Sequence, residues 1–466
     1  MQTTRPLTLL LRCSAVILLA LALVAALGTM GILGASANPA PSTHAATGRA
    51  QPAAPTTTGP EVFRSDYHPW LIFILVVFAL LVVLLLWLTL TRNRKRSRLD
   101  PRNLWTLSIA FSILCALAVL AIWIVITLAP FPQGSGTPIL SQSDLDSFLA
   151  AQPAAPSGQP RILIPTGVFI QSIEFTSAFD PVVSGVIWQK YGPDVPAEVA
   201  RGFTLPEGSD MQSAEAYRIT EGDTQLIGWT FRATLRQQFI YNQYPFDRHY
   251  VWVRVDPADL THNVALTPDF ASYTTMRPEA LPGVQPTLVL ENWDLRQTFF
   301  SYHTHNYNTN LGINQSTRQT GYPELYFTVG ISRQIISAFI TYVVPPLVAL
   351  VMLFGVLLLT TRRQERREPA GWNSTNVLAY TAALFFVVIV SHVNLRQQIS
   401  ASGILYLGWF YFLTYLAILL VSINAVVFIL ASQRRIIQHE DNLVSKLLYW
   451  PILTFALLVI TVAVFV

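Results

Sequence analysis

Seven stretches of this chain are apolar over, or nearly over, the length that crosses a bilayer: 8–33, 69–90, 105–130, 335–360, 376–393, 403–432 and 446–466. A membrane helix needs about 20 mostly apolar residues. Only a helix or a closed barrel can satisfy every backbone N–H and C=O inside hydrocarbon. These runs therefore demand a multi-pass helical membrane protein. Composition agrees: 52% of residues are hydrophobic and 12% charged, against about a quarter charged in soluble chains. Cys13 and Cys115 both sit inside apolar runs, so no disulfide framework and no cysteine metal site is available.

The net charge of +4 is not a nucleic-acid footprint, because the basic residues gather at the ends of the apolar runs. Cytoplasmic loops carry the excess of Lys and Arg, which assigns 91–98, 362–367 and 433–435 to the cytoplasm. Alternating the spans then places 131–334, the 394–402 loop and Val466 outside, with all three basic loops on one side. The expected location is the cell membrane. Residues 1–37 read equally as a cleaved signal peptide, with Ala35-Ser36-Ala37 as the small-residue site, or as a retained anchor. Residues 38–66 are a Pro/Ala/Thr spacer that cannot bury a core, and 67–130 holds two spans. Residues 131–160 read as a second linker with a short helix at 141–151.

Residues 161–334 alternate short β-branched and aromatic segments with turn residues, the pattern of an all-β sandwich. The expected segments are 161–164, 168–175, 182–189, 225–240, 250–255, 288–302 and 324–330. Residues 131–333 hold 19 Asp and Glu against 12 Lys and Arg. An acidic domain of this kind keeps itself soluble and also raises the local concentration of cations. The fold expected is thus an extracytoplasmic β-sandwich, preceded by additional membrane helices and followed by a four-helix transmembrane bundle over 335–466.

No Walker loop, GxGxxG, HExxH or GxSxG pattern occurs, so the chain is not read as an enzyme and no cofactor or metal is assigned. His303 and His305 stand two apart, on one face of a strand, the spacing of a zinc or proton-sensing pair or of a solvated strand end. The segment 239–249 carries more information. Pro245 ends a ladder by removing a donor, and it places Phe246 and Asp247 side by side in a loop between two strand-like runs.

In order and spacing, the chain over about 160–466 resembles the pentameric ligand-gated ion channels, the Cys-loop receptor superfamily, in their prokaryotic form without the cysteines. Tyr244-Pro245-Phe246-Asp247 is similar to that family's loop between the sixth and seventh strands. Segment 168–175, Asp180 and 182–191 resemble its first hairpin, with Trp188 on the second strand. Asn292-Trp293-Asp294 looks like the start of the ninth strand, and 324–331 followed by Ser332-Arg333 and an immediate apolar run looks like the tenth strand entering the first membrane helix. Val343-Val344-Pro345-Pro346 matches a family proline. The spans at 69–90 and 105–130 and the long basic 361–375 loop depart from the pattern.

The resemblance implies a homopentameric, ligand-gated, cation-conducting channel, opened by a small molecule or by protons, with ions and the lipid bilayer as further partners and no nucleic acid. It implies aromatic ligand contacts at Trp188, Tyr307 and Tyr322, since ring faces hold cationic or apolar ligands. It brings Asp180, Phe246, Asp247 and Arg333 together at the membrane face as a coupling cluster. The pore helix falls on 373–394. One stripe at helical spacing is Asn373, Asn376, Tyr380, Ala383, Val387, Ser391 and Asn394, polar at both ends and apolar between, as a dewetting gate requires. A rival register lines the pore with Ser374, Leu378, Thr381, Phe385, Val388 and His392. Two other functions compete. A non-conducting sensor would use the same fold, but only short loops face the cytoplasm. A transporter would need intramembrane charge, which is nearly absent, and inverted repeats, which do not show.

Overall fold

The computed structural model describes residues 72–74, 77–79, 81–82, 101–132, 136–152, 160–313, 321–359, 374–399, 403–430 and 442–465. The leader at 1–37, the spacer at 38–66, most of the 69–90 span and the three basic loops lie outside these residues.

Among the described residues, the β region is built from two five-stranded sheets. The first has the order β1 (Thr137–Ile139), β9 (Trp293–His305), β10 (Tyr322–Arg333), β7 (Arg248–Pro257), β4 (Phe203–Thr204). The second runs β5 (Gly208–Glu221), β6 (Thr224–Leu235), β3 (Pro181–Tyr191), β2 (Ile162–Phe175), β8 (Val264–Pro268). All neighbours are antiparallel except β2 and β8.

Period-two alternation decides which face is buried. On β3, Val183, Ile187 and Tyr191 point into the core while Ser184, Trp188 and Lys190 remain half-exposed. On β7, Val251, Val253 and Val255 do the same opposite Trp252 and Arg254. The central strand β10 is buried on both faces up to Ser332. These residues and Phe300, Phe327 and Ile331 form one core between the sheets.

The stretch expected as a linker after the first described span is partly built into this domain. Strand β1 pairs with β9, and helix α2 (Gln142–Ala151), capped by Ser141, follows it. Ile139 and Leu145 are buried, and Phe148 stacks on Tyr302 at 4.5 Å. The β1–β9 ladder and these apolar side chains together hold the segment against the sheet.

Among the described residues, five helical spans are long and apolar enough to cross a membrane. They are α1 (Pro101–Leu128), the pair α3 (Ile335–Tyr342) and α4 (Val344–Leu359), then α5 (Ser374–Gln398), α6 (Tyr406–Leu430) and α7 (Leu443–Phe465). The α3–α4 span is interrupted at Val343, where Pro345 and Pro346 withhold two backbone donors. Helix α1 lies alongside α7 and runs parallel to it. Ser108 Oγ donates to the Leu447 carbonyl at 2.6 Å near one end, and Phe111 meets Phe455. Towards the other end Trp123 Nε1 donates to the Tyr406 hydroxyl at 2.8 Å, and that hydroxyl shares a 2.7 Å hydrogen bond with Thr461.

Candidate functional site

The segment between β6 and β7 lies where the sheets meet the helices. Strand β6 ends at Leu235 and β7 begins at Arg248. Between them Gln237 replaces ladder bonds, donating to the Trp252 carbonyl while the Trp252 N–H donates back to its side-chain oxygen at 3.3 Å. The Tyr241 hydroxyl donates to the carbonyl of Ala178 in the β2–β3 turn. Two turn bonds, Tyr244 N–H to Tyr241 and Phe246 N–H to Gln243, fold the tip, and the Tyr244–Pro245 peptide is cis. The first N–H of α6, on Tyr406, donates to the Asn242 carbonyl at 2.9 Å, so the tip is also hydrogen-bonded to the bundle.

Three consecutive side chains leave this tip for the helices and for the β10–α3 junction. Phe246 is buried among Trp123 of α1, Tyr406 of α6 and Phe465 of α7, with ring centroids 5.7, 6.3 and 5.7 Å away. Asp247, fully buried, accepts Arg333 Nε and Nη2, each at 2.9 Å, and a 2.9 Å hydrogen bond joins it to His249 Nε2. Arg248 turns to the C-terminus of α1, where Nη1 donates to the carbonyls of Ala129 and Pro130 at 2.9 and 2.8 Å, and Nη2 to those of Ile126 and Thr127 at 2.6 and 3.2 Å. A cation there answers both the unpaired carbonyls and the negative end of the helix dipole.

Arg333 is the last residue of β10, two before α3 begins. Its guanidinium lies 3.9 Å from the Trp293 ring, 4.7 Å from Tyr244 and 5.8 Å from Tyr241, a cation–π box around a bidentate ion pair. Burial pushes the Asp247 carboxyl up, but Arg333 and then His249 more than offset this and hold it well below the usual carboxylate range. Burial works against the Arg333 charge too, and Asp247 again reverses the balance and raises it. Both groups are thus charged in the folded protein at any physiological pH. Asp180 takes another partner: its carboxylate accepts the Ser177 hydroxyl at 2.7 Å, and its carbonyl accepts Thr176.

Of the ligand candidates, Trp188 is half-exposed on β3. Its indole N–H donates to Asp269 at 2.9 Å, which Lys190 also reaches. The indole lies across Gly167, where a Cβ would come within 2.1 Å of its ring. Tyr322 is buried, its hydroxyl donating to the Val264 carbonyl at 3.1 Å. Tyr307 is half-buried, with its hydroxyl between Arg254 and Glu324. Arg254 holds three carboxylates there, Glu324 at 2.9 Å and Asp256 and Glu207 at 3.1 Å. The three aromatic candidates thus occupy different surroundings within the chain. His303 and His305 each lie against a tyrosine ring, Tyr326 at 4.3 Å and Tyr307 at 4.9 Å.

On α5 the buried positions are Val377, Thr381, Val388 and Leu395, a narrow seam on a helix that packs against α4 and α6. Asn376, Tyr380, Ala383, Val387 and Asn394 are exposed, while Ser391 bonds the Tyr411 hydroxyl of α6 at 2.8 Å. Of the rival register, Leu378 and Phe385 are exposed, Thr381 and Val388 lie in the buried seam, and His392 stacks on Tyr411 at 4.8 Å. Asn373 and the Ser374 side chain lie outside the described residues.

Sequence reasoning passed over Arg248, His249 and the ring of Tyr241, Tyr244 and Trp293. The one available signal was crowding: four aromatic residues, a histidine, Asp247 and Arg248 fall within 239–249, although Trp293 does not. Removing the cap tests Arg248. Arg248→Ala is expected to loosen the last turn of α1 by about 1–2 kcal/mol, read as faster amide exchange at Leu128 and Ala129. Unchanged exchange would show that the cap contributes nothing. No protein-family model matches the chain, and no curated protein matches it in sequence.

Proposed function

We propose that this chain is one subunit of a homopentameric ligand-gated cation channel, with the two-sheet domain as an extracytoplasmic sandwich and α3–α7 as its four-span pore bundle. The observation that carries the reading is the buried Asp247–Arg333 pair in its aromatic box. It fastens the β6–β7 loop to the residue at which β10 becomes the first span. A rotation of the sheets would therefore be delivered directly to α3, which is what a receptor domain must do to open a pore beneath it.

Two further features support it. Helices α1 and α7 run parallel, as two spans that both leave the cytoplasm must. Helix α5 buries only a narrow seam within its own subunit, and its outward stripe is polar near both ends and apolar between. Five such stripes around an axis would make a water-filled passage with a hydrophobic constriction. The acidic outer domain would concentrate cations at its mouth. The alternative is a non-conducting sensor with the same fold, in which the junction relays a signal without a pore.

The test is twofold. Purified protein in mild detergent is expected to have five times the mass of one chain, and in planar bilayers to give unitary cation currents. A monomer or dimer would remove the ring, and a pentamer silent under every ligand and pH tried would favour the sensor.

A further inference from the structure

Between α1, α3 and the Pro245–Phe246 tip lies a cleft of about 320 Å³. Its lining includes Leu120, Trp123, Ile124, Phe246, Phe339 and Val343. Water would occupy about 30 Å³ per molecule, so the space would take about ten waters and offer almost none of them a hydrogen bond. A cavity of this kind is either empty or filled with hydrocarbon.

What can enter is decided by where it opens. Leu120, Ile124 and Leu128 on one wall are 48, 49 and 77% exposed, and on α3, beside the lining residues Ile335 and Phe339, the outward-facing Ile336 and Ile340 are 76 and 62% exposed. Both walls belong to helices long and apolar enough to span a membrane, so the mouth is continuous with the surface that bilayer chains cover. The walls are also fixed in advance. Arg248 holds the end of α1, and Trp123 is hydrogen-bonded to Tyr406. The cost of organising the site is thus already met before a ligand arrives.

We propose that this cleft binds an acyl chain of a bilayer lipid. The chain enters from the side between α1 and α3, passes Leu120 and Ile124, and ends against Val343 and Phe246. Because Phe246 forms part of the wall, an occupied cleft supports the β6–β7 tip. That consequence for gating rests on the channel reading, whereas the binding itself does not.

The test uses the full chain in vesicles of phosphatidylcholine carrying a photoreactive diazirine on the acyl chain, with adducts mapped by mass spectrometry. Val343 and Phe246 are only 6 and 8% exposed, so lipid outside the cleft does not reach them. Adducts are expected on both in the wild-type protein. In Leu120→Trp, which fills the entrance, they are lost while adducts on outward-facing Ile423 persist. Labelling of Ile423 without Val343 or Phe246 in the wild type would overturn the proposal. So would labelling of the two by a headgroup-free photoreactive alkane but not by the phospholipid, which would make the occupant a free apolar molecule. Neither result depends on whether the protein conducts.

Discussion

Arg333→Ala is expected to destabilise the protein by about 3–5 kcal/mol, the cost of leaving one partner of a buried ion pair without the other. The loss is asymmetric. Asp247 is buried beneath the aromatic box and retains only His249, whereas alanine fills none of the space between Trp293 and Tyr244. Denaturation followed by tryptophan fluorescence measures the cost. Asp247→Leu combined with Arg333→Met removes both charges at similar volume. Measured with the single substitutions Asp247→Leu and Arg333→Met, it is expected to show a coupling energy of about 0.5–3 kcal/mol in the double-mutant cycle. Strict additivity would mean that the pair does not act as a unit.

The pH dependence has a definite sign. The folded Asp247 carboxyl titrates below its unfolded value of about 3.9, so its contribution is complete above that pH. It is lost only as pH falls through the depressed folded value. Wild-type stability from this pair should therefore be flat across the neutral range. On the channel reading, the same Arg333→Ala protein, held below its unfolding temperature, should bind ligand and pass no current. A mutant that gates normally would end the coupling assignment.

On the channel reading, a cysteine at Val387 is expected to abolish current when a charged methanethiosulfonate reagent is applied to the open state, and a cysteine at Phe385 to leave it unchanged. Val387 stands on the outward stripe with Asn376, Tyr380 and Ala383, where a hydrophobic gate would lie if five copies faced one another. A bound charged group in a dewetted constriction closes it, so the effect should approach complete block. Block at Phe385 alone would select the rival register. Protection at both would mean that no aqueous pore passes this helix, and the sensor reading would gain.

What could be read from the sequence followed from how strongly each element declares a period. The spans announced themselves by length, because hydrocarbon tolerates few substitutes for apolar side chains. Strands β3 and β7 showed alternation because each has one buried face. Strand β5 did not. Its 14 residues are exposed along nearly their whole length, so neither face demanded apolar residues and no period was left to detect. Asp247 and Arg333 lie 86 residues apart, a pairing that no local pattern encodes; only resemblance brought them together. Arg248 was invisible for a related reason. Its partners are backbone carbonyls about 120 residues upstream, and a carbonyl leaves no mark on residue identity.

Three neighbouring residues can span at most about 10 Å of chain. Phe246, Asp247 and Arg248 are three such neighbours, and between them they hold α1, α6, α7 and the start of α3. The outer ends of α1 and α7 and the start of α3 are therefore linked like arms on one short pin, and none can travel far without the others. Helix α1, which the resembled four-span plan does not contain, would then be a moving part of the machine and not a bystander. Whatever tilts or lengthens it in the membrane, including bilayer thickness, would be felt at the junction where the sheets meet the helices.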